Sequence, residues 1–352
     1  MESIALYNWA TSVLSSITED LNDHYYKEIN GSLALQFETT DIVNARALVY
    51  SERDEPPRHA ISITYKLIRS LYDDAAAFVD YVHSGKDDEA YDMWFNGQTN
   101  FTTLRDEWDK TNFTKNIFLA GLTWVFFHEL GHLTQGHLFI RNRYSSDINV
   151  MSEIHLNNLS SDNNDASAIW HATELAADYF STCMCVVEIV RQLAINENCE
   201  LAICFLTCGI SLMLHRFQGE KFYEVQTEPV GTHPRPFVRL EMIVPLIFEL
   251  LSITNTDQRR SYVLAGGESA NRVGLFWIRK TGIMEGIPEH YLIEGTLNRP
   301  GVIEYLRHII FIWDSISSEI SEMFTFGTKK MLLNFTNVLR TAPDLNDDTQ
   351  EK

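Results

Sequence analysis

A chain of 352 residues with 45% hydrophobic content can form one large or two ordinary domains and bury a sizeable core, which excludes a disordered or fibrous protein. Its 48 acidic against 28 basic residues give a formal net charge of -20, so a nucleic-acid backbone is repelled unless the fold gathers a local basic patch, and no nucleic-acid partner is expected. Cys183, Cys185, Cys199, Cys204 and Cys208 are odd in number, sit mostly in apolar helical runs and lack paired C-x-x-C spacing. They read as reduced, buried thiols in a cytoplasmic setting, not as a disulfide framework or a four-thiolate zinc site.

The first 23 residues carry an early glutamate and no basic region ahead of an apolar run, so no signal peptide is expected. Helical periodicity runs from Ser3 to about His24. After the turn-like Asn30-Gly31, strands are predicted at Ser32 to Phe37 and Arg46 to Tyr50, then a charged loop from Glu52 to Arg58 containing Pro56-Pro57. A helix is predicted from Ile61 to Val82, and a long apolar one from Thr114 to about Ile140. Beyond the polar stretch Asn158 to Asp165, helices are expected over Trp170 to Ile195 and Glu200 to Phe217. A Gly/Pro-bearing connection from Gly219 to Pro236 leads into a helix ending near Thr254, and Pro300 to Leu339 is helical in pattern. The longest apolar stretches, Ile117 to Phe127, Leu201 to Leu214 and Met242 to Phe248, fall short of the roughly 20 residues that cross a bilayer, so no membrane span is expected. The expected architecture is α+β and predominantly α-helical. A small N-terminal sheet lies in a mixed part over residues 1–113, a helical core with a zincin-like centre follows over 114–342, and 343–352 form a polar tail.

Chemistry enters at His128-Glu129-Leu130-Gly131-His132, an H-E-x-x-H motif inside an apolar helical run. Histidines at i and i+4 share one helix face, so both imidazoles reach one zinc ion, while Glu129 lies beside the position of a water. At this composition the motif arises by chance in about three of every hundred chains of this length, so it needs corroboration from a third ligand and an outer shell. Glu174, 42 positions after His132, is the candidate ligand, and Asp178 one turn later can accept the second ring N–H of a ligand histidine. The surrounding alanines argue that these carboxylates are buried and partnered, not part of a solvated acidic face. His137 falls one position away from the third histidine of a metzincin and reads as a helix-end or outer-shell residue; His171 is a rival ligand. His233 and Arg239, in Gly231-Thr232-His233-Pro234-Arg235-Pro236-Phe237-Val238-Arg239, can supply a hydrogen-bond donor and a fixed positive charge, or simply lead into a helix.

Together, His128-Glu129-x-x-His132, Glu174-x-x-Ala177-Asp178 and Thr232-His233-Pro234 with Arg239 resemble the ordered signature of gluzincin peptidases of the CAAX prenyl protease and HtpX type, over about residues 116 to 245. The resemblance implies His128, His132 and Glu174 as zinc ligands, Glu129 as general base, Asp178 as an outer partner, and His233 with Arg239 as supporting groups. Members of that type are commonly membrane-embedded, whereas this chain shows no expected span, so a prenylated substrate is not carried over. A looser resemblance, in the first motif and in size, is to soluble bacterial H-E-x-x-H peptidases that include the phage-exclusion peptidase Lit.

The expectation is a soluble zinc-dependent endopeptidase acting on a protein or peptide substrate, with Zn²⁺ as its cofactor. The alternative is a non-catalytic metal-bound regulatory or interaction protein, in a bacterial stress or phage-defence setting. Glu129 argues against that alternative, because a structural zinc site has no use for a base. The acidic excess points to a basic or neutral substrate at the cleft rim.

Overall fold

The computed structural model describes residues 2–87, 109–144, 164–193, 198–218, 226–251, 256–282 and 301–341. Helix α1 (Ser3–Leu21) runs into a π-helical turn, and Asn22 ties that end to strand β1 (Ser32–Glu38) by donating to the Leu33 carbonyl and accepting from its N–H, both at 2.8 Å. Strands β2 (Ala45–Val49) and β3 (Arg58–Thr64) complete a mixed sheet of order β1-β3-β2. The pair β1/β3 is parallel, with Leu33 opposite His59, and β2/β3 is antiparallel, with Ala47 opposite Ile61.

Helix α2 (Tyr65–His83) follows β3 without a loop. The sequence pattern extended this helix back to Ile61, whereas Ile61 to Thr64 belong to the sheet. The β-branched alternation Ile61-Ser62-Ile63-Thr64 suits a pleated, buried strand. The Thr64 hydroxyl then caps the helix by accepting from Leu67 N–H at 3.1 Å.

Helix α3 (Lys110–Thr134) is buried nearly all round from Phe113 onward, so it forms the axis of the molecule. It packs on α5 (Asn164–Leu193), on α6 (Asn198–Gln218), on α2 and on strands β2 and β3. The continuous helix expected to Ile140 is instead interrupted: Gly136 adopts φ 64°, and a short helix α4 (His137–Asn142) sets off in a new direction. Helix α7 (Pro236–Leu250) packs on α5, and α8 (Thr256–Thr281) packs on α6 and α7. The sequence pattern did not anticipate α8, which buries polar residues in pairs such as Arg272 with Asp87 and Glu268 and so lacks a clean apolar stripe. Helix α9 (Val302–Met323) packs on α5, and the chain then continues through a 3-10 turn to α10 (Asn337–Thr341), so only part of the segment from Pro300 to Leu339 is helical. The expected polar loop before Asp165 and the polar tail lie largely or wholly outside the described residues.

One apolar cluster runs from Leu6 to Phe335, joining α1 to the segment after α9 in a predominantly helical α+β fold. The five cysteines are free and buried. Among the described residues one helix, Cys199–Gln218 within α6, is long and apolar enough to cross a bilayer; 78% of its most apolar window is buried inside the fold.

Candidate metal centre

The crossing of α3 on α5 brings His128 and His132 against Glu174. One ligand atom from each of the three lies within 4.8 Å of the others, all three residues are buried, and the group is able to hold one metal ion. Nε2 of His128 and Nε2 of His132 are 3.1 Å apart. Glu174 places Oε2 3.2 Å from His128 Nε2 and Oε1 3.3 Å from His132 Nε2. No hydrogen bond of good geometry reaches Glu174 Oε2. A buried carboxylate oxygen facing two imidazole nitrogens is expensive unless a cation joins them, so the donor set fits a divalent metal.

The second nitrogen of each histidine is engaged elsewhere. His128 Nδ1 lies 2.9 Å from Asp178 Oδ1, and His132 Nδ1 lies 2.8 Å from Nδ1 of His137. With Asp178 ionised, His128 carries its proton on Nδ1 and keeps the Nε2 lone pair for a cation. Asp178 is gripped by both arms of Arg239, Nε to Oδ2 at 2.7 Å and Nη2 to Oδ1 at 2.6 Å. Burial raises the Asp178 carboxyl, but the Arg239 charge and hydrogen bonds outweigh it and hold it below the usual range. Burial also raises Glu174, but its interactions with the neighbouring His233, His132 and His128 rings outweigh that and leave it well below the usual range. Burial pushes His132 down to about 4 and His137 further, so both rings are neutral near pH 7.

Glu129 sits on the turn between the two histidines and is itself buried. The loop before α7 carries His233, whose Nδ1 is 2.7 Å from the Thr232 hydroxyl and whose Nε2 is 3.6 Å from Glu174 Oε2. Gln226 closes this loop by accepting from Arg235 N–H at 3.0 Å, just before Pro236 starts the helix. With 15% of its side chain exposed, His233 is the most accessible of these groups. Arg239 places Nη2 3.6 Å from Glu174 Oε2, but its fork is spent on Asp178.

His171, weighed as a rival ligand, lies outside the group and pairs through Nδ1 with the Tyr305 hydroxyl at 2.9 Å. Among the described residues the cysteines form no metal-holding group. Two neighbours were not anticipated from the sequence. The Trp124 ring stacks on His128 with centroids 5.4 Å apart, and Arg141 of α4 donates from Nη2 to Glu174 Oε1 at 2.8 Å. The i−4 spacing of Trp124 from His128 was available as a clue; Arg141 reaches Glu174 only through the break at Gly136.

A family model described as Peptidase U49 matches residues 45–248, which include His128, Glu129, His132, Arg141, Glu174, Asp178, His233 and Arg239. No curated protein and no solved structure matches the chain.

Proposed function

The chain belongs to the peptidase U49 family, and we propose that it is a zinc-dependent endopeptidase of gluzincin type that hydrolyses peptide bonds in a protein substrate. The observation that carries this reading is the buried His128, His132 and Glu174 group with Glu129 on the intervening helical turn. Two imidazoles and one carboxylate suit zinc, and three protein ligands leave a position open for water or substrate. Bound zinc supplies Lewis acidity, bringing the pKa of a water near neutral and polarising the scissile carbonyl.

The chain's own groups divide the remaining work. Glu129 takes a proton from the attacking water, whose oxygen adds to the carbonyl carbon, and passes it to the amine nitrogen as the C–N bond breaks. With the Thr232 hydroxyl donating to Nδ1, His233 carries its proton on Nε2 and donates it as a hydrogen bond to the developing oxyanion. Arg239 acts at one remove, by holding Asp178 ionised against His128. Burial of α6 and of all five free thiols supports a soluble protein in a reducing, cytoplasmic setting.

The test is identification of new protein N-termini in cells expressing either the wild type or Glu129→Gln. Cleavage sites present with the wild type and absent with the variant are expected; identical sets of termini would contradict the proposal.

A further inference from the structure

We propose that Arg141 is a positioning residue of the metal centre: its guanidinium occupies one oxygen of Glu174, so that the carboxylate offers the other oxygen alone to a divalent cation. The inference rests on the reading of His128, His132 and Glu174 as that centre. Arg141 is 2% exposed and among the largest fully buried side chains. Burying a guanidinium is costly unless its donors are used, and here several are directed at one turn of α5. Nε donates to Thr173 Oγ1 at 2.8 Å, Nη2 donates to Glu174 Oε1 at 2.8 Å, and Nη2 lies 3.5 Å from the Trp170 carbonyl. The guanidinium carbon stands 4.0 Å above the Trp170 ring, which fixes the plane of the fork. Thr173 and Trp170 therefore aim Arg141, and Arg141 aims Glu174.

The two oxygens of Glu174 differ as a result. Oε1 accepts from Arg141 at 2.8 Å and also lies 3.3 Å from His132 Nε2, whereas Oε2 faces His128 Nε2 at 3.2 Å, has His233 Nε2 and Arg239 Nη2 no nearer than 3.6 Å, and receives no hydrogen bond of good geometry. A carboxylate free at both oxygens can chelate a metal through both and fill the position that water or substrate needs. Sharing one oxygen with a guanidinium would prevent this and withdraw charge from the ligand, so that a bound metal would keep a position for water or substrate and remain a strong Lewis acid. The break at Gly136 has a use in this light, because it turns α4 and brings Arg141 back onto α5.

The test replaces zinc by cobalt(II), whose visible absorption is intense at four-coordination and weaker at five. The wild type is expected to bind one cobalt per chain with an intense spectrum. Arg141→Met is expected to lose much of that intensity and, in the zinc form, to lose about 10–100-fold in kcat with KM little changed. Arg141→Lys keeps a charge but not the fork, and is expected to fall between the two. Thr173→Val removes the acceptor that aims Nε, together with the hydroxyl's own bonds to the Ile169 and Trp170 carbonyls one turn back, and its spectrum is expected to shift in the same direction as that of Arg141→Met by a smaller amount. A folded Arg141→Met that binds one cobalt with the wild-type spectrum overturns the proposal, because a merely structural arginine changes stability and leaves the spectrum alone. Should Arg141→Met fail to fold, an unchanged Thr173→Val spectrum overturns it equally. A wild type that binds neither zinc nor cobalt removes the metal centre and this inference together, an outcome distinct from all the others.

Discussion

His128 is held from two sides, by Asp178 at Nδ1 and by the Trp124 ring against its face. Asp178 is in turn held by Arg239, so the orientation of a proposed ligand depends on a residue 111 positions away in sequence. Asp178→Asn keeps the size of the side chain but removes the charge that both His128 and Arg239 require. A loss of about 10–100-fold in zinc affinity or in turnover is expected, read by competition with a chromophoric chelator and by peptide cleavage. Unchanged affinity and rate would show that the contact does not matter. His128, Glu129 and His132 were legible in the sequence because helical geometry links residues four apart, and the pair Glu174 and Asp178 follows the same rule on a second helix. The meeting of the two helices was read from the alanines around Glu174 and Asp178, which marked these carboxylates as buried and partnered, and from the family resemblance. The role of Arg239 was half legible: its charge was expected near the site, but its use on Asp178 appears only once α7 lies against α5.

The axial helix α3 crosses α6 where Gly121 meets Gly209, and a Cβ built on Gly209 would lie 2.5 Å from the Gly121 nitrogen. Neither backbone can yield without moving its helix. Gly209→Ala is therefore expected to cost about 1–3 kcal/mol of stability, measured by urea unfolding, while leaving the ligand residues intact. A midpoint equal to the wild type would mean that the helices do not cross so closely. The elements that escaped sequence reading share a physical cause. Strand β3 merges into α2 without a polar break, so its apolar residues passed for the first turn of the helix. Helix α8 satisfies buried Arg272 with Asp87 and Glu268, and such ionic burial leaves no hydrophobic period to detect. The end of α3 needed the positive φ of Gly136, which a Gly inside an apolar run signals only weakly.

The charge of -20 is not all on the surface: Asp74, Asp87, Glu129, Glu174 and Asp178 are buried, as are Arg141, Arg239 and Arg272. Much of the buried charge is therefore paired inside, and the family match, beginning at Ala45, includes β2, β3 and α2 together with the helices of the centre. Two histidines outside the centre, the half-buried His59 and the buried His215, are also held neutral. Burial lowers His59 to about 4 and His215 to about 4. As pH falls below about 6.5, the unfolded chain takes up these protons while the folded chain does not. Their contribution to stability is thus full above about 6.5 and is lost as pH falls to about 4. Urea unfolding of metal-free protein should show stability dropping by roughly 1.4 kcal/mol per pH unit for each such histidine across that window. A midpoint constant from pH 7 to 4.5 would mean that both rings are accessible.

The most direct test of a metal-centred peptidase is a zinc titration of metal-free protein against a chromophoric chelator, on the wild type and on His132→Asn in parallel. The account predicts one zinc per wild-type chain and, for the variant, a loss of affinity beyond the roughly 10–100-fold that removing an outer partner costs. Zinc bound equally well by both proteins, or by neither, would contradict it.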